Sequence, residues 1–596
     1  MKKTFYVLAL ALACSACGGG TNNEEPTKPS GGGEVTSVMH ITSDLSWQIV
    51  SDKAMYAPGE KIRFEATVGT PDASTHVRYR NGSKVIEDTP LSATTWEWTA
   101  PAEDGQGYLV EVYRQRNDTT QQIVGTIGVD VSSDWHLYPR YGFVATFDKS
   151  KTNSVIASEM AYLNRCHING VQFQDWHYKH HWPAPVDKQG NVLGSFTDIA
   201  NRMNETSVIR EYIRVQHSYG MKAIFYNLAF GALDDAKSDG VKEEWYMFKD
   251  ANHSSKDSHV LPSSWKSDIF LTNPGNTDWQ AYIAQRNEEV YHNFDFDGYQ
   301  IDQLGYRGDR YTYTGQKLNF NTAYASFINA MYKAHPAKDL IMNAVSSYCA
   351  QAILLTGHMA LAYNETWADE AEYSNLYQII KANRNYSSGK AQTVFAAYMD
   401  YNRDNCTFNI PGVLLTDAVM FAIGGAHLEL GDHMLCREYF PYTGVRMSDA
   451  LKEEIIHYYD FATAYENYLR PVEGDQEVTL TVTDEAKKIS FNVWPPKVGK
   501  VTTFARQQNG RIVLHLLNFT SADCTSWRDI DGTMPTPRVV KNSRLSVAVT
   551  NEVKHVYLAS PDYHGGALQE LPFKQADGKV SFTVPTLKYW DMLIFE

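Results

Sequence analysis

The sequence predicts a multidomain protein with a central (β/α)8 barrel, an N-terminal immunoglobulin-like β-sandwich and a C-terminal antiparallel β domain. The chain has 596 residues, more than a single hydrophobic core usually serves. Its two ends show period-two alternation of apolar and polar residues, whereas its middle alternates strand-like apolar runs with helical stretches. Eight strand-like runs in the middle are the number that a TIM barrel requires.

Residues 1–17 have the pattern of a lipoprotein signal peptide. A positive start and a short apolar run are followed by small residues and then Cys17. The apolar run is too short to span a membrane permanently. A cysteine directly after small residues resembles a bacterial lipoprotein processing site, so Cys17 is the predicted lipidation site, with Cys14 as the alternative.

Residues 18–34 predict a flexible tether, because their Gly, Thr, Asn, Glu, Pro and Ser cannot bury a core. Acidic residues near Cys17 resemble those of tethers that carry lipoproteins to the cell surface. We therefore expect a secreted lipoprotein of the outer membrane or cell surface, held to the membrane by its lipid. Such a tether is compatible with a monomer, which is the expected state.

The two flanking domains are predicted from alternating stretches broken by turn residues. Residues 35–134 contain several, such as 61–68 and 108–113, and predict an immunoglobulin-type sandwich. A structural spacer and a sugar-binding module are both open as its role. Alternation returns over 471–596, for example at 511–518, and predicts the C-terminal antiparallel β domain.

Residues 135–470 are predicted to form the barrel, because apolar strand-like runs and helical stretches alternate there. The eight candidate strands are 142–146, 170–174, 223–227, 298–302, 340–344, 360–364, 393–397 and 426–430. A doubly wound sheet is the alternative, but the Gly-rich phosphate turn that often follows its first strand is absent.

The charge and the cysteine pattern exclude some classes of partner. A formal net charge of −15 argues against nucleic acid, whose phosphates need clustered Lys and Arg. No zinc-type pairing appears among the seven cysteines. His177, His180 and His181 share one loop but lack HEXXH spacing. The sequence therefore predicts no metal and no cofactor, with a calcium site in a loop left open.

Two carboxylates stand at predicted strand ends, where the active sites of TIM barrels lie. Asp302 ends the fourth strand, and alternation turns Gln300 to the same side. Glu365 follows the sixth strand among polar and aromatic neighbours. Glycosidic cleavage requires such a pair, since one carboxylate attacks the anomeric carbon and a protonated one serves the leaving oxygen. A structural salt bridge for Asp302 and a loop ion pair for Glu365 are the alternatives.

Other strand ends are followed by residues of the kind that hold sugars. Trp and Tyr can stack on a glucose ring, while Asp, Asn, Gln and His can bind its hydroxyls. Ordinary loop packing is the alternative for each of them. The candidates for substrate binding are Gln174, Asp175, Trp176, Tyr226, Asn227, Gln300, Trp367, Tyr398, His427 and Asp432.

At these positions the sequence resembles glycoside hydrolase family 66, the dextranases and cycloisomaltooligosaccharide glucanotransferases. The resemblance covers nearly the whole mature chain and is most specific at 296–305, 363–367 and 424–435. Family members usually carry Trp where this chain has Tyr299.

This resemblance implies a role for each carboxylate, with Asp302 as the nucleophile and Glu365 as the acid/base. It also implies an enzyme that retains configuration and cuts inside α-1,6-glucan chains. Contacts with the glucose being cleaved are implied for Gln174, Asp175, Tyr226, Asn227 and Asp432.

The expected function is a retaining glycoside hydrolase that cleaves internal α-1,6-glucosidic linkages of dextran to isomaltooligosaccharides through a covalent glycosyl-enzyme. The cyclising transferases of the family carry a large sugar-binding module late in the barrel, for which the loop at 400–412 has no room. One alternative is a non-catalytic surface glucan-binding lipoprotein. Another is a retaining α-glycosidase or transglycosylase of different linkage specificity.

Overall fold

The computed structural model describes residues 33–470 and 474–596. The predicted signal peptide, Cys17 and nearly all of the predicted tether lie outside the described residues. Within the part of the chain that is described, no helix is both long and apolar enough to cross a membrane.

Short strands near the N-terminus form two small sheets around one hydrophobic cluster. The first described strand, β1 Glu34–Val35, is part of neither. The bounds of the others are β2 His40–Ser43, β3 Gln48–Ser51, β4 Lys61–Val68, β5 Thr75–Asn81, β6 Lys84–Pro90, β7 Thr95–Thr99, β8 Gln106–Asn117 and β9 Thr120–Val131. One sheet has the order β2-β9-β8-β5-β6 and the other β3-β4-β7. The alternation of β4 buries Ile62 and Phe64, which pack against Val110 of the other sheet.

The middle of the chain contains fourteen strands. Their bounds are β10 Tyr141–Val144, β11 Gly170–Phe173, β12 Ser195–Thr197, β13 Met203–Glu205, β14 Lys222–Leu228, β15 Ser258–His259, β16 Ile269–Phe270, β17 Gly298–Asp302, β18 Asp339–Met342, β19 Ala362–Thr366, β20 Thr393–Ala397, β21 Cys406–Thr407, β22 Ala426–His427 and β23 Val445–Arg446. Each of the eight predicted strand positions overlaps one of these. Those eight strands are β10, β11, β14, β17, β18, β19, β20 and β22.

A helix follows each of these eight strands along the chain. The helices are α1 Asn153–Arg165, α2 Thr206–Ser218, α3 Thr277–Asn293, α4 Phe320–Ala334, α5 Ala350–Leu354, α6 Tyr373–Tyr386, α7 Ile410–Ala422 and α8 Asp449–Ala464, and the short α9 Glu466–Leu469 comes after them. Asn276 begins α3, because its side chain accepts hydrogen bonds from two backbone N–H groups of the first turn.

Hydrogen bonding divides the eight strands into two parallel sheets. One has the order β10-β11-β14-β17-β18 and the other β19-β20-β22. Isolated parallel bridges join their edges, Leu340 with Met359 and Asn343 with Tyr363 on one side and Phe143 with Gly431 on the other. The multidomain prediction is confirmed, but continuous ladders among the described residues do not close into one eight-stranded barrel.

The C-terminal part consists of strands in two sheets. Their bounds are β24 Gln476–Glu477, β25 Val482–Asp484, β26 Phe491–Val493, β27 Val501–Gln508, β28 Arg511–Asn518, β29 Val540–Ala548, β30 Val556–Ala559, β31 Gln569–Glu570, β32 Phe573–Ala576, β33 Lys579–Leu587 and β34 Trp590–Phe595. One sheet is β1-β32-β33-β29-β25, so the first described strand belongs to it and not to the N-terminal sheets. Arg506 donates to the carbonyls of Leu469 and Ile423, which attaches this part to the middle of the chain.

Candidate active site

Asp302 and Glu365 lie at the C-terminal ends of β17 and β19, on the two different parallel sheets. Oδ2 of Asp302 accepts a hydrogen bond of 2.8 Å from the hydroxyl of Tyr226. Its Oδ1 accepts a second bond of 2.8 Å from the backbone N–H of Gln303. Oε1 of Glu365 accepts one of 2.8 Å from the hydroxyl of Tyr398.

One amide nitrogen joins the two carboxylates. Nδ2 of Asn343 donates to Oδ1 of Asp302 and to Oε2 of Glu365, at 2.8 Å in each case. These two oxygens therefore cannot be farther apart than twice that distance. Retaining glycosidases hold their two carboxyl groups about 5–5.5 Å apart, whereas inverting enzymes need about 6.5–9.5 Å to admit a water molecule. This upper bound on the distance between the two oxygens is shorter than the separation that inverting enzymes need.

A cavity of about 790 Å³ opens over this pair. A volume of that size is sufficient for a small-molecule or sugar ligand. Six of the ten residues predicted to bind substrate line it together with both carboxylates, namely Gln174, Asp175, Tyr226, Gln300, Trp367 and Tyr398.

The surroundings of the two carboxyl groups shift their pKa values. Burial, together with the charge of Asp302, raises the pKa of Glu365 to about 7. Burial also raises the pKa of Asp302, but Asn343, Tyr226 and the backbone of Gln303 donate to it and oppose that rise. Three groups therefore donate to the carboxylate of Asp302 and two, Asn343 and Tyr398, to that of Glu365.

A third carboxyl group faces the same cavity. Burial raises the pKa of Asp175 to about 7, and the charges of Asp198 and Asp302 add to the rise. Asp175 has a positive φ of 49°, a conformation that costs free energy for a residue other than glycine. Near neutral pH this group can donate as well as accept hydrogen bonds.

Trp176 and Asn227 were expected to contact substrate, but their side chains do not line the cavity. Trp176 is fully buried, packs against Phe294 and donates from Nε1 to the carbonyl of Tyr226. Asn227 follows Tyr226 in β14, so alternation turns it to the opposite face, where it donates to the carbonyl of His180. Both are structural in this fold.

His427 and Asp432 likewise do not line the cavity, and both are paired with other groups. Nδ1 of His427 lies 2.8 Å from Oδ1 of Asp417, and its Nε2 donates over 3.0 Å to the carbonyl of Ala397. The side chain of Asp432 is 1% exposed and forms ion pairs with Lys151 and His433.

Sequence reasoning did not single out Asn343 as a functional residue. It is the first residue after β18, and the rule that strand ends carry the active site would have selected it. Trp265, Glu438 and Tyr439 also line the cavity, but they come from long loops whose course no local pattern predicts.

Two groups of side chains in the described residues are close enough to hold a metal ion. In the first, made of His181, Asp235 and Asp239, Nζ of Lys179 lies 2.6 and 2.7 Å from the two aspartates and supplies the positive charge. The second consists of Asp417, His427 and Glu429 and is fully buried. Neither group includes Asp302 or Glu365.

Comparison with known proteins identifies the family of the chain. The model of glycosyl hydrolase family 66 matches residues 51–594. The chain belongs to this family. The family resemblance predicted from the sequence is thus confirmed.

Named relatives of this family-66 chain include two kinds of enzyme. A cycloisomaltooligosaccharide glucanotransferase of Niallia circulans is 25% identical over 710 residues, which cover 92% of this chain and 71% of the relative. A dextranase of Streptococcus salivarius is 24% identical over 578 residues, which cover 83% and 68%. Among solved structures, a Paenibacillus sp. cycloisomaltooligosaccharide glucanotransferase complexed with cycloisomaltoheptaose has a TM-score of 0.83 at 22% identity, covering 93% of this chain and 100% of that one. That structure shows a shared fold.

Proposed function

We propose that this family-66 enzyme is a retaining glycoside hydrolase that cleaves internal α-1,6-glucosidic linkages of dextran to isomaltooligosaccharides. The observation that carries the proposal is the shared donor Asn343, which holds Asp302 and Glu365 at the separation of a retaining pair. The names of the relatives support an α-1,6-glucan substrate, since one is a dextranase.

In the first step, the carboxylate of Asp302 attacks the anomeric carbon of the bound glucosyl unit and forms an ester with it. The bond from that carbon to the linking oxygen breaks, and Glu365 gives its proton to the departing oxygen. A pKa of about 7 keeps Glu365 protonated up to neutral pH, as an acid in this position requires.

In the second step, a water molecule attacks the anomeric carbon from the side that the departed chain has left. Glu365, now a carboxylate, takes a proton from this water, and Asp302 departs as a carboxylate. Tyr226 and Asn343 donate to Asp302 in the free enzyme, so its charge is stabilised when the ester breaks. Two inversions at one carbon give net retention.

Hydrolysis rather than cyclisation is favoured by the short connection after β20. Between Ala397 and the start of α7 at Ile410, the chain has only a brief loop containing β21. A large inserted sugar-binding module has no place there. A sugar hydroxyl can still replace water in the second step, so some transfer accompanies hydrolysis.

We propose further that the two parallel sheets act as one (β/α)8 barrel. The bridges of Asn343 with Tyr363 and of Phe143 with Gly431 support this. So does a single hydrophobic cluster that contains Phe143 and Ile341 from one sheet and Tyr363 from the other. In such a barrel Asp302 and Glu365 face each other across its C-terminal mouth.

We also propose that Cys17 carries a lipid anchor. This anchor would hold the protein in the outer membrane or at the cell surface. Mass spectrometry of the protein from membranes would detect the lipidated N-terminal cysteine. Cys17→Ala should release the protein into the soluble fraction, and Cys14→Ala should not.

The decisive experiment follows the products of the purified enzyme on dextran by chromatography and the anomer first formed by NMR. Starch and pullulan serve as substrates of other linkage. The expected result is linear isomaltooligosaccharides of α configuration from dextran alone. Binding without cleavage would establish the glucan-binding alternative, cyclic products would establish a glucanotransferase, and an initial β anomer would refute the retaining mechanism.

A further inference from the structure

A group of four side chains beside Glu365 has no role in the chemistry described so far. It consists of Trp367, Tyr401, Glu438 and Arg528, and we call it the leaving-side cluster. Trp367 and Glu438 line the same cavity as Glu365. The hydroxyl of Tyr401 donates to Oε1 of Glu438 over 2.9 Å.

The leaving-side cluster lies on the acid's side of the catalytic pair. Trp367 directly follows β19 in an extended conformation, two residues after Glu365, and both side chains line the cavity. The ring of Trp367 is 5.4 Å from that of Tyr398, which donates to Glu365. Glu438 is near enough for its charge to raise the pKa of Glu365. Since an acid must reach the departing oxygen, the sugar that departs lies on this side.

Part of the cluster comes from the C-terminal domain, through the connection between β28 and β29. Residues 525–534 of this connection contact the loops that follow β19 and β20. The indole of Trp527 donates to the carbonyl of Glu370 over 2.7 Å. The amide of Asn402 donates to Oδ1 of Asp531 over 2.9 Å. These bonds hold both loops against the domain.

Arg528 stands in the middle of this contact. Its guanidinium carbon lies 5.3 Å from the ring centre of Tyr401 and 6.0 Å from that of Trp367. The residue is only 9% exposed, and within the described ranges its Nε has no hydrogen-bond partner. A buried donor without an acceptor is destabilising, so stability alone does not account for an arginine here. The positive charge of Arg528 can instead interact with the faces of both rings and fix their orientation.

We propose that the leaving-side cluster binds the glucosyl unit on the departing side of the cleaved linkage, and that Arg528 of the C-terminal domain is its positioning residue. This inference rests on the proposed function. The ring of Trp367 offers a stacking face for a neutral hexopyranose, and Glu438 accepts hydrogen bonds from its hydroxyls.

The leaving-side cluster then takes part both in cleavage and in transfer to a second sugar. During cleavage it holds the sugar whose oxygen takes the proton of Glu365. During transfer it holds a second sugar, whose hydroxyl gives its proton to Glu365 while its oxygen bonds to the anomeric carbon and Asp302 is released. Binding here therefore sets how often a sugar, rather than water, completes the reaction.

The test compares a substrate that fills the cluster with one that leaves it empty. Dextran has a sugar on the departing side, whereas α-isomaltosyl fluoride has only fluoride there. Arg528→Ala should lower kcat/KM on dextran about threefold to thirtyfold, the range expected when cation–π interactions that position a ring are lost. Its loss on the fluoride should be at least about threefold smaller, because that substrate does not occupy the cluster.

Arg538→Ala is the matched control, since Arg538 is an exposed arginine of the same connection. It should behave as the unmodified enzyme on both substrates. Trp367→Ala should reproduce the selective loss on dextran, which keeps the test decisive if Arg528→Ala does not fold. Equal losses on both substrates, or none on dextran, would overturn the subsite while leaving the hydrolase assignment intact. Failure of the unmodified enzyme on both substrates would refute the proposed function itself.

Discussion

The hydroxyl of Tyr398 donates a 2.8 Å hydrogen bond to Oε1 of Glu365. Tyr398 follows the last residue of β20, and Glu365 lies in the neighbouring strand β19, so the bond crosses between adjacent strand ends. A donor to the charged carboxylate favours ionisation and therefore lowers the pKa of Glu365. The strength of the acid thus depends on a side chain of the next strand.

Tyr398→Phe should move the alkaline limb of the pH–activity profile to higher pH. Removing the donor destabilises the Glu365 carboxylate, so its pKa rises from about 7, by about one unit for a single charged hydrogen bond. Activity that is lost above neutral pH in the parent should persist in the variant. The measurement is kcat/KM on dextran between about pH 4 and 9, the range that both limbs span. Tyr332→Phe, at a partly exposed tyrosine, should leave the profile unchanged, and an unshifted limb in Tyr398→Phe would contradict the assignment of the acid.

Asp302→Asn and Glu365→Gln should each lower kcat on dextran by about two to four orders of magnitude. The two variants should differ on α-isomaltosyl fluoride, because fluoride departs without a proton. Glu365→Gln should still form the glycosyl-enzyme from the fluoride, and mass spectrometry should detect the added isomaltosyl group. Asp302→Asn should form none. The reverse pattern would exchange the two roles.

Asn343→Ala should shift both limbs of the profile to higher pH. Its amide donates to Asp302 and to Glu365 and lowers the pKa of each, so its removal makes both carboxyls weaker acids. The acid limb, where Asp302 takes up a proton, should move up together with the alkaline limb. We expect kcat to fall about a hundredfold or more, as for the loss of a preorganised donor. A shift of one limb alone would show that the amide does not serve both groups.

His427→Gln should reduce stability more than activity. Burial alone would lower the pKa of His427, but Glu429 and Asp417 outweigh it and raise the pKa well above its usual value. The cation therefore stabilises the fold below the pKa of the unfolded state, about 6.5, and this contribution is lost as the pH rises through the folded-state pKa.

Removing the positive partner of buried carboxylates costs about 3–5 kcal/mol, and urea unfolding at pH 6 and pH 9 measures the loss. The difference between His427→Gln and the parent should shrink at the higher pH. His555→Gln, which removes a half-exposed partner of Glu570, should cost at most about 1 kcal/mol. A similar cost in both variants would show that His427 is not held as a cation.

Much of the candidate site follows from local sequence. The strands that carry Asp302 and Glu365 were predicted from apolar runs, and β17 has the same limits in the structure, Gly298–Asp302. Alternation along a strand is a local property of the backbone, so it correctly turned Gln300 and Asp302 to one side. The same rule, applied to β14, predicts that Tyr226 and Asn227 point to opposite faces of the strand. Their residue types alone do not predict this.

Tertiary structure decided which of these side chains meet. Sequence order does not show that Asn343 would reach one carboxylate on each side of β18, or that His427 would pair with Asp417 instead of facing substrate. Nor does it place Arg528, from the far end of the chain, against Trp367. Residue types and strand periodicity act over a few neighbours, and they determined the chemistry available to this protein. The distances between groups far apart in the chain arise only when sheets and loops pack. That packing decided which two carboxylates share one hydrogen-bond donor and line one cavity.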